Sequence, residues 1–155
     1  MRYPAPEWHH DGQFDWAGYT QSIDLPVALA LNRAGPIEAI AFLGLCETIC
    51  IPLQANLTVD PASDPDNPED VESVSAAIAR LPAPARPDFG VSVASAAGRE
   101  LALEAALPAS GAAEGGKPVF RVKVLARPKA RPDGAGLHYT LVTPGGAVSG
   151  VLPYF

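Results

Sequence analysis

Long apolar runs are missing from this 155-residue chain. None approaches the roughly 20 residues that a membrane-spanning helix needs. The opening MRYPAPEWHH has neither an apolar signal core nor a small-residue cleavage site, so the chain as given is expected to be soluble and without an export signal. Positive charge is also scarce: 11 Lys and Arg against 17 Asp and Glu leave a net charge of −6 and a pI near 4.9. No basic surface is available to neutralise a phosphate backbone, which argues against nucleic acid as a partner. Gly-x-Ser-x-Gly, the P-loop and GxGxxG are all absent, so hydrolase, nucleotide and dinucleotide chemistry find no support and no cofactor is expected. The histidines are three, His9, His10 and His138. An adjacent pair in a loop reads as solvated polar residues rather than as a copper site, and no metal is expected.

What is present favours strands. The chain is 48% hydrophobic and 18% charged, enough to bury a core in one domain or two small ones. Seventeen prolines and fourteen glycines cut it into short pieces, which favours a mainly β protein. Three zones follow. In residues 1–60, SIDLPVALAL (22–31) and EAIAFLGL (38–45) read as strands around the turn formers of NRAGP. ICIPLQANLTV (49–59) alternates, with Leu53, Ala55, Leu57 and Val59 on one face and Gln54, Asn56 and Thr58 on the other, which predicts a half-buried strand.

Residues 61–87 form a Pro/Asp-rich linker with one short helix. Asn67 caps it, Pro68 is its first residue, Glu69 and Asp70 occupy the positive first turn, and Val71, Val74, Ile78 and Leu81 share a face. Residues 88–155 read as a second small sandwich-like portion of strands FGVSVASA, ELALEAAL, PVFRVKVLA, LHYTLVTP and AVSGVLPYF, with TPGG as a hairpin turn. PASGAAEGGKP (108–118) is a flexible loop by composition, and the basic run RVKVLARPKARP (121–132) reads as a solvated strand end.

Only two cysteines occur, Cys46 and Cys50, in FLGLCETICIPLQANLTV. On one straight strand they would sit about 13 Å apart, beyond the limit of about 7 Å between Cα atoms that a disulfide tolerates. A tight loop at ETI would instead set them face to face across a hairpin. A helical turn would also bring them together, but the flanking residues favour strands and Pro52 holds Ile51 extended. A bridge here closes a ring of about five residues, worth roughly 2 kcal/mol in the chain-entropy model. That is a weak staple, and spacing alone leaves a redox pair and a structural bridge both open. Two thiolates fall short of the four ligands of a zinc site.

GLCETICIPLQANL, with YPAPEW and GYTQSIDLPVAL upstream, resembles the amino-terminal periplasmic domain of the DsbD family of protein-disulfide reductases, nearest the branch that includes the copper-sensitivity suppressor ScsB. The shared pattern is Cys-x3-Cys-Ile-Pro after Pro-Ala-Pro and Gly-Tyr…Leu-Pro, over about residues 3–59, and Met1 nearly abuts the point before which family members carry further strands. The resemblance implies an immunoglobulin-like β-sandwich in which Cys46 and Cys50 take electrons from a membrane-embedded reductase domain and pass them to periplasmic disulfide or thioredoxin-fold proteins. It leaves the order of attack open, with Cys50 on the outgoing strand the first candidate. It also implies a cap over the sulfurs in residues 8–20, where Phe14 or Trp16 would shield them, His10 or Asp11 would tune proton transfer, and Tyr19 would belong to the same lid. The alternative for Trp8, Phe14 and Trp16 is that they are ordinary core or interface aromatics. An edge left open by absent strands invites pairing with the third zone or with a second copy. The rival to the exchange reading is a non-catalytic immunoglobulin-like binding or scaffold module with a structural disulfide.

Overall fold

The computed structural model describes residues 2–47, 49–108, 116–126 and 136–153. In chain order the elements are β1 (Glu7–His10), β2 (Asp15–Gly18), β3 (Ile37–Cys46), β4 (Cys50–Val59), α1 (Pro68–Ala79), β5 (Ala83–Pro84), β6 (Gly90–Ala97), β7 (Glu100–Ala106), β8 (Val119–Lys123), β9 (Gly136–Thr143) and β10 (Gly146–Pro153). The protein is mainly β, as expected, and its sheets are open, in keeping with an immunoglobulin-like architecture. Contacts divide it into two compact units, residues 26–79 and residues 2–25 with 80–155.

The first unit holds the β3–β4 hairpin and α1. The hairpin pairs antiparallel from Ile37↔Val59 to Cys46↔Cys50, and the alternation expected for residues 53–59 is realised in β4. Side chains on a strand alternate between faces, which places all odd-numbered positions together: Ile37, Ala39, Ala41, Leu43 and Leu45 opposite Val59, Leu57, Ala55, Leu53 and Ile51. That face is wholly apolar. The even face carries Glu38, Thr58, Asn56 and Gln54, together with Ile40, Phe42, Gly44, Pro52 and the two cysteines. The expected half-burial is not found, because every residue of β4 is exposed. The alternation names the face that a second layer would cover, and the described residues of β4 are exposed on both faces.

Two further expectations are corrected. Residues 22–31 form no strand, although the segment has the residue types for one. A ladder needs a partner as well as a pattern, and no described strand pairs with this segment. The helix starts where the sequence puts it: the Asn67 side-chain oxygen accepts from the N–H groups of Glu69 (2.8 Å) and Asp70 (3.3 Å), two of the donors a first turn leaves unpaired. Its apolar stripe, however, stays exposed at Val71, Val74 and Ile78; Ala77 is its buried residue, and Leu81 falls beyond its end.

The second unit contains a small β-sandwich of two three-stranded sheets, ordered β5-β10-β9 and β6-β7-β8. In β7 the alternation is fully used: Leu101, Leu103 and Ala105 are buried and meet Leu152 of β10, with Val91, Val93, Val122, Val124 and Tyr139 packed around. Tyr139 ties the sheets together. Its hydroxyl accepts from the Val91 N–H at 3.0 Å, and its ring lies over Gly150, where an added Cβ would come within 2.6 Å of the Tyr139 oxygen. Glycine is therefore required at 150 by close approach. The TPGG turn joins β9 to β10 with Thr143↔Gly146 as the closing pair. Residues 109–115 of the loop expected from composition, and the basic run beyond Ala126, lie outside the described residues.

Candidate functional site

The β3–β4 register sets Cys46 opposite Cys50, and the two are joined as a disulfide with their Cα atoms 4.0 Å apart. The loop across the tip is short, and Glu47 N–H donates to the Ile49 carbonyl at 3.2 Å. A Cα separation this small is that of a non-hydrogen-bonded antiparallel pair (about 4.5 Å) rather than a hydrogen-bonded one (about 5.5 Å). Pro52 sits in the same class of pair, two positions along, so its missing N–H removes no bond from the hairpin. Both cysteines are exposed, and so are their neighbours Leu45, Ile49 and Ile51. A disulfide at an exposed tip meets the first requirement of exchange chemistry, access for an attacking thiolate.

The remaining residues singled out from the sequence gather on another hairpin, β1–β2, which belongs to the second unit. The cap segment that the resemblance implies over residues 8–20 contains these two strands; Asp11-Gly12 is the turn signal that marks them, and Gly12 has a φ of 91°. His9 faces Trp16 in the register, and their rings stack at a centroid distance of 4.1 Å. His9 Nε2 lies 3.3 Å from Glu7 Oε2, within ion-pair range but without hydrogen-bond alignment. His10 Nδ1 meets Asp15 Oδ1 at 2.7 Å. The Tyr19 hydroxyl donates to the Pro4 carbonyl at 2.7 Å, and burial, with a contribution from Tyr3, pushes its pKa up. Trp8 and Phe14 are 70% and 68% exposed, so neither is a core aromatic.

Asp11 has a defined local task. Its carboxylate accepts from the Phe14 N–H at 2.8 Å and the Gln13 N–H at 3.0 Å, and these bonds, Phe14's first, hold its pKa below the ordinary 3.8. A depressed carboxylate pKa contributes stability that is present above the ordinary value and lost as pH falls through the folded one. The β1–β2 turn is therefore expected to hold from neutral pH down to about pH 4 and to loosen only in stronger acid. Tryptophan fluorescence followed from pH 7 to pH 2 checks this: Asp11→Ala should show the loosened signal already at pH 7.

The protein is mainly β and carries an exposed disulfide at a hairpin tip. Residues 1–61 match the family model described as "Thiol:disulfide interchange protein DsbD, N-terminal". This segment therefore carries a DsbD amino-terminal domain sequence, as the Cys-x3-Cys-Ile-Pro motif implied. No curated protein and no solved structure matches the chain. No helix among the described residues is long and apolar enough to cross a membrane.

Proposed function

We propose that the protein is a thiol–disulfide exchange module acting in the periplasm through Cys46 and Cys50. The observation that carries this reading is the exposed Cys46–Cys50 disulfide inside the segment that matches the DsbD amino-terminal family. In the charging half-cycle, a thiolate of a dithiol donor attacks one sulfur of the pair. The Cys46–Cys50 bond breaks, a mixed disulfide forms, and the other cysteine leaves as a thiolate. The donor's second thiolate then displaces the mixed disulfide, so the donor is oxidised by two electrons and Cys46/Cys50 becomes a dithiol. In the discharging half-cycle the same steps run against a substrate disulfide, which ends reduced while Cys46–Cys50 re-forms.

The donor is assigned as a membrane-embedded reductase domain of the DsbD/ScsB type, and the acceptors as periplasmic disulfide or thioredoxin-fold proteins. The lid role implied by the family for His10, Asp11, Phe14, Trp16 and Tyr19 is part of the same proposal, as is a division into an amino-terminal portion to residue 60, a linker to 87 and a second β portion. Self-association through an open sheet edge belongs to the same proposal.

The rival, a scaffold with a structural disulfide, differs in one accessible property. Exchange requires the bond to open in the folded protein. Dithiothreitol added under native conditions, with thiols counted by alkylation and mass spectrometry, is expected to yield two free thiols while circular dichroism keeps its β signal. Thiols that appear only once the protein unfolds would leave the scaffold reading.

A further inference from the structure

The even face of the β3–β4 hairpin carries a feature that neither folding nor the disulfide itself explains. It carries the polar Glu38, Gln54, Asn56 and Thr58 beside Gly44, Pro52 and the two cysteines, and Ile40 and Phe42 stand on it 71% and 70% exposed, in line with the disulfide. Between Phe42 and Cys46 lies Gly44. Its φ is not in the left-handed region, and a Cβ added there would meet nothing within 4 Å. Neither backbone conformation nor crowding requires glycine at this place, and a strand interior is where glycine is least favoured. Close approach of another backbone is one use of such a bare strand position.

The main chain points the same way. Even positions are the non-hydrogen-bonded pairs, as the 4.0 Å Cα separation at Cys46/Cys50 and the Glu47–Ile49 bond on the next rung show together. The N–H and C=O groups of Ile40, Phe42, Gly44 and Cys46 are therefore directed to the outer edge of β3, and no described strand pairs there. On β4 the equivalent position beside the disulfide is Pro52, which has no N–H to offer. One edge next to the sulfurs is open and the other is blunted.

We propose that the outer edge of β3 from Ile40 to Cys46 receives an extended segment of the protein that exchanges with the disulfide, paired to the β3 main chain, with an apolar side chain resting on Phe42 and the reactive sulfur passing over Gly44. Phe42 and Gly44 are positioning residues: the spacing puts Phe42 about 13 Å and Gly44 about 7 Å from Cys46 along the strand, so an apolar residue near a partner cysteine reaches one while its sulfur reaches the bond. Strand addition supplies sequence-independent hydrogen bonds and the side-chain contact supplies selectivity. This inference rests on the exchange reading above and specifies how its partner is recognised.

The test compares two reductants of the intact oxidised protein: reduced thioredoxin as a protein dithiol and dithiothreitol as a small one that needs no docking. Phe42→Ala and Gly44→Val are expected to slow reduction by thioredoxin about tenfold and to change the dithiothreitol rate by less than about twofold, with Gln54→Ala, across the ladder, unchanged in both. Gly44→Ala should melt no lower than the parent protein, which separates a docking role from a folding one. Equal slowing with both reductants, unchanged rates with both, or a parent protein that thioredoxin reduces no faster per thiolate than dithiothreitol would each overturn the docking edge while leaving exchange intact. Thioredoxin rates that fall as the protein concentration rises would give the edge to a second copy and also overturn it. A bond that resists both reductants until the fold is lost removes the exchange reading, and the docking edge with it.

Discussion

Replacing Cys50 by serine is expected to reduce two-electron transfer to a protein disulfide to background, a loss on the order of a thousandfold or more, and Cys46→Ser is expected to do the same. The reason is stoichiometric. One thiol can form a mixed disulfide, but without a second thiol nothing displaces the substrate sulfur, so turnover stops after a single attack. The two variants should differ in what they accumulate: the one that retains the attacking cysteine traps the mixed disulfide, visible as a covalent adduct on a non-reducing gel, and the other does not. Unfolding does not account for such a loss. The bridge closes a ring of about five residues and contributes only about 2 kcal/mol in the entropy model, and it spans an exposed tip. Far-ultraviolet circular dichroism of either variant should match the parent.

The largest effect on stability is expected in the carboxy-terminal sandwich. Leu101→Ala removes a side chain that is 2% exposed and sits against Leu103 and Leu152. Comparable truncations in cores cost about 2–5 kcal/mol, through lost transfer energy and the cavity left behind. Among the described residues of this unit the buried hydrophobic side chains are few, Phe89, Leu101, Leu103, Ala105, Val148 and Leu152, so the loss is a large share of the about 5–15 kcal/mol that stabilises an ordinary domain. Urea unfolding followed by circular dichroism should show the midpoint of this unit falling sharply. Val119→Ala, at a side chain 57% exposed on β8, should move it by less than about 0.5 kcal/mol. Similar shifts for the two substitutions would contradict the placement of the core.

Where a period-2 pattern coincided with a local turn, the sequence sufficed. The hairpin that joins Cys46 to Cys50 was readable because alternation begins at Pro52 and the ETI loop leaves the cysteines no other strand geometry. The same holds for β9–β10, where TPGG supplies the turn. The cap of α1 was readable because Asn67 and Pro68 act on adjacent atoms.

Patterns that depend on a distant partner were harder. Residues 22–31 alternate as well as any true strand of this chain, but alternation states a preference for burial and provides no ladder. The alternation of β4 predicts half-burial for the same reason, and the strand is exposed. In the opposite direction, β1 and β2 were missed because strands this short carry almost no periodic signal; Asp11-Gly12 was the one local cue. The docking edge at Phe42 and Gly44 was not visible either. It emerges only when the register places an exposed phenylalanine, a glycine that nothing crowds and a disulfide on one face.

The measurement that bears most directly on exchange through Cys46 and Cys50 is the equilibrium redox titration of the pair in glutathione or dithiothreitol buffers, read by thiol trapping and mass spectrometry. Electron transfer predicts a reversible two-electron couple above about −270 mV, within reach of known exchange proteins. A couple below about −300 mV, or a bond that reduces only on unfolding, is the behaviour of a structural disulfide and would contradict it.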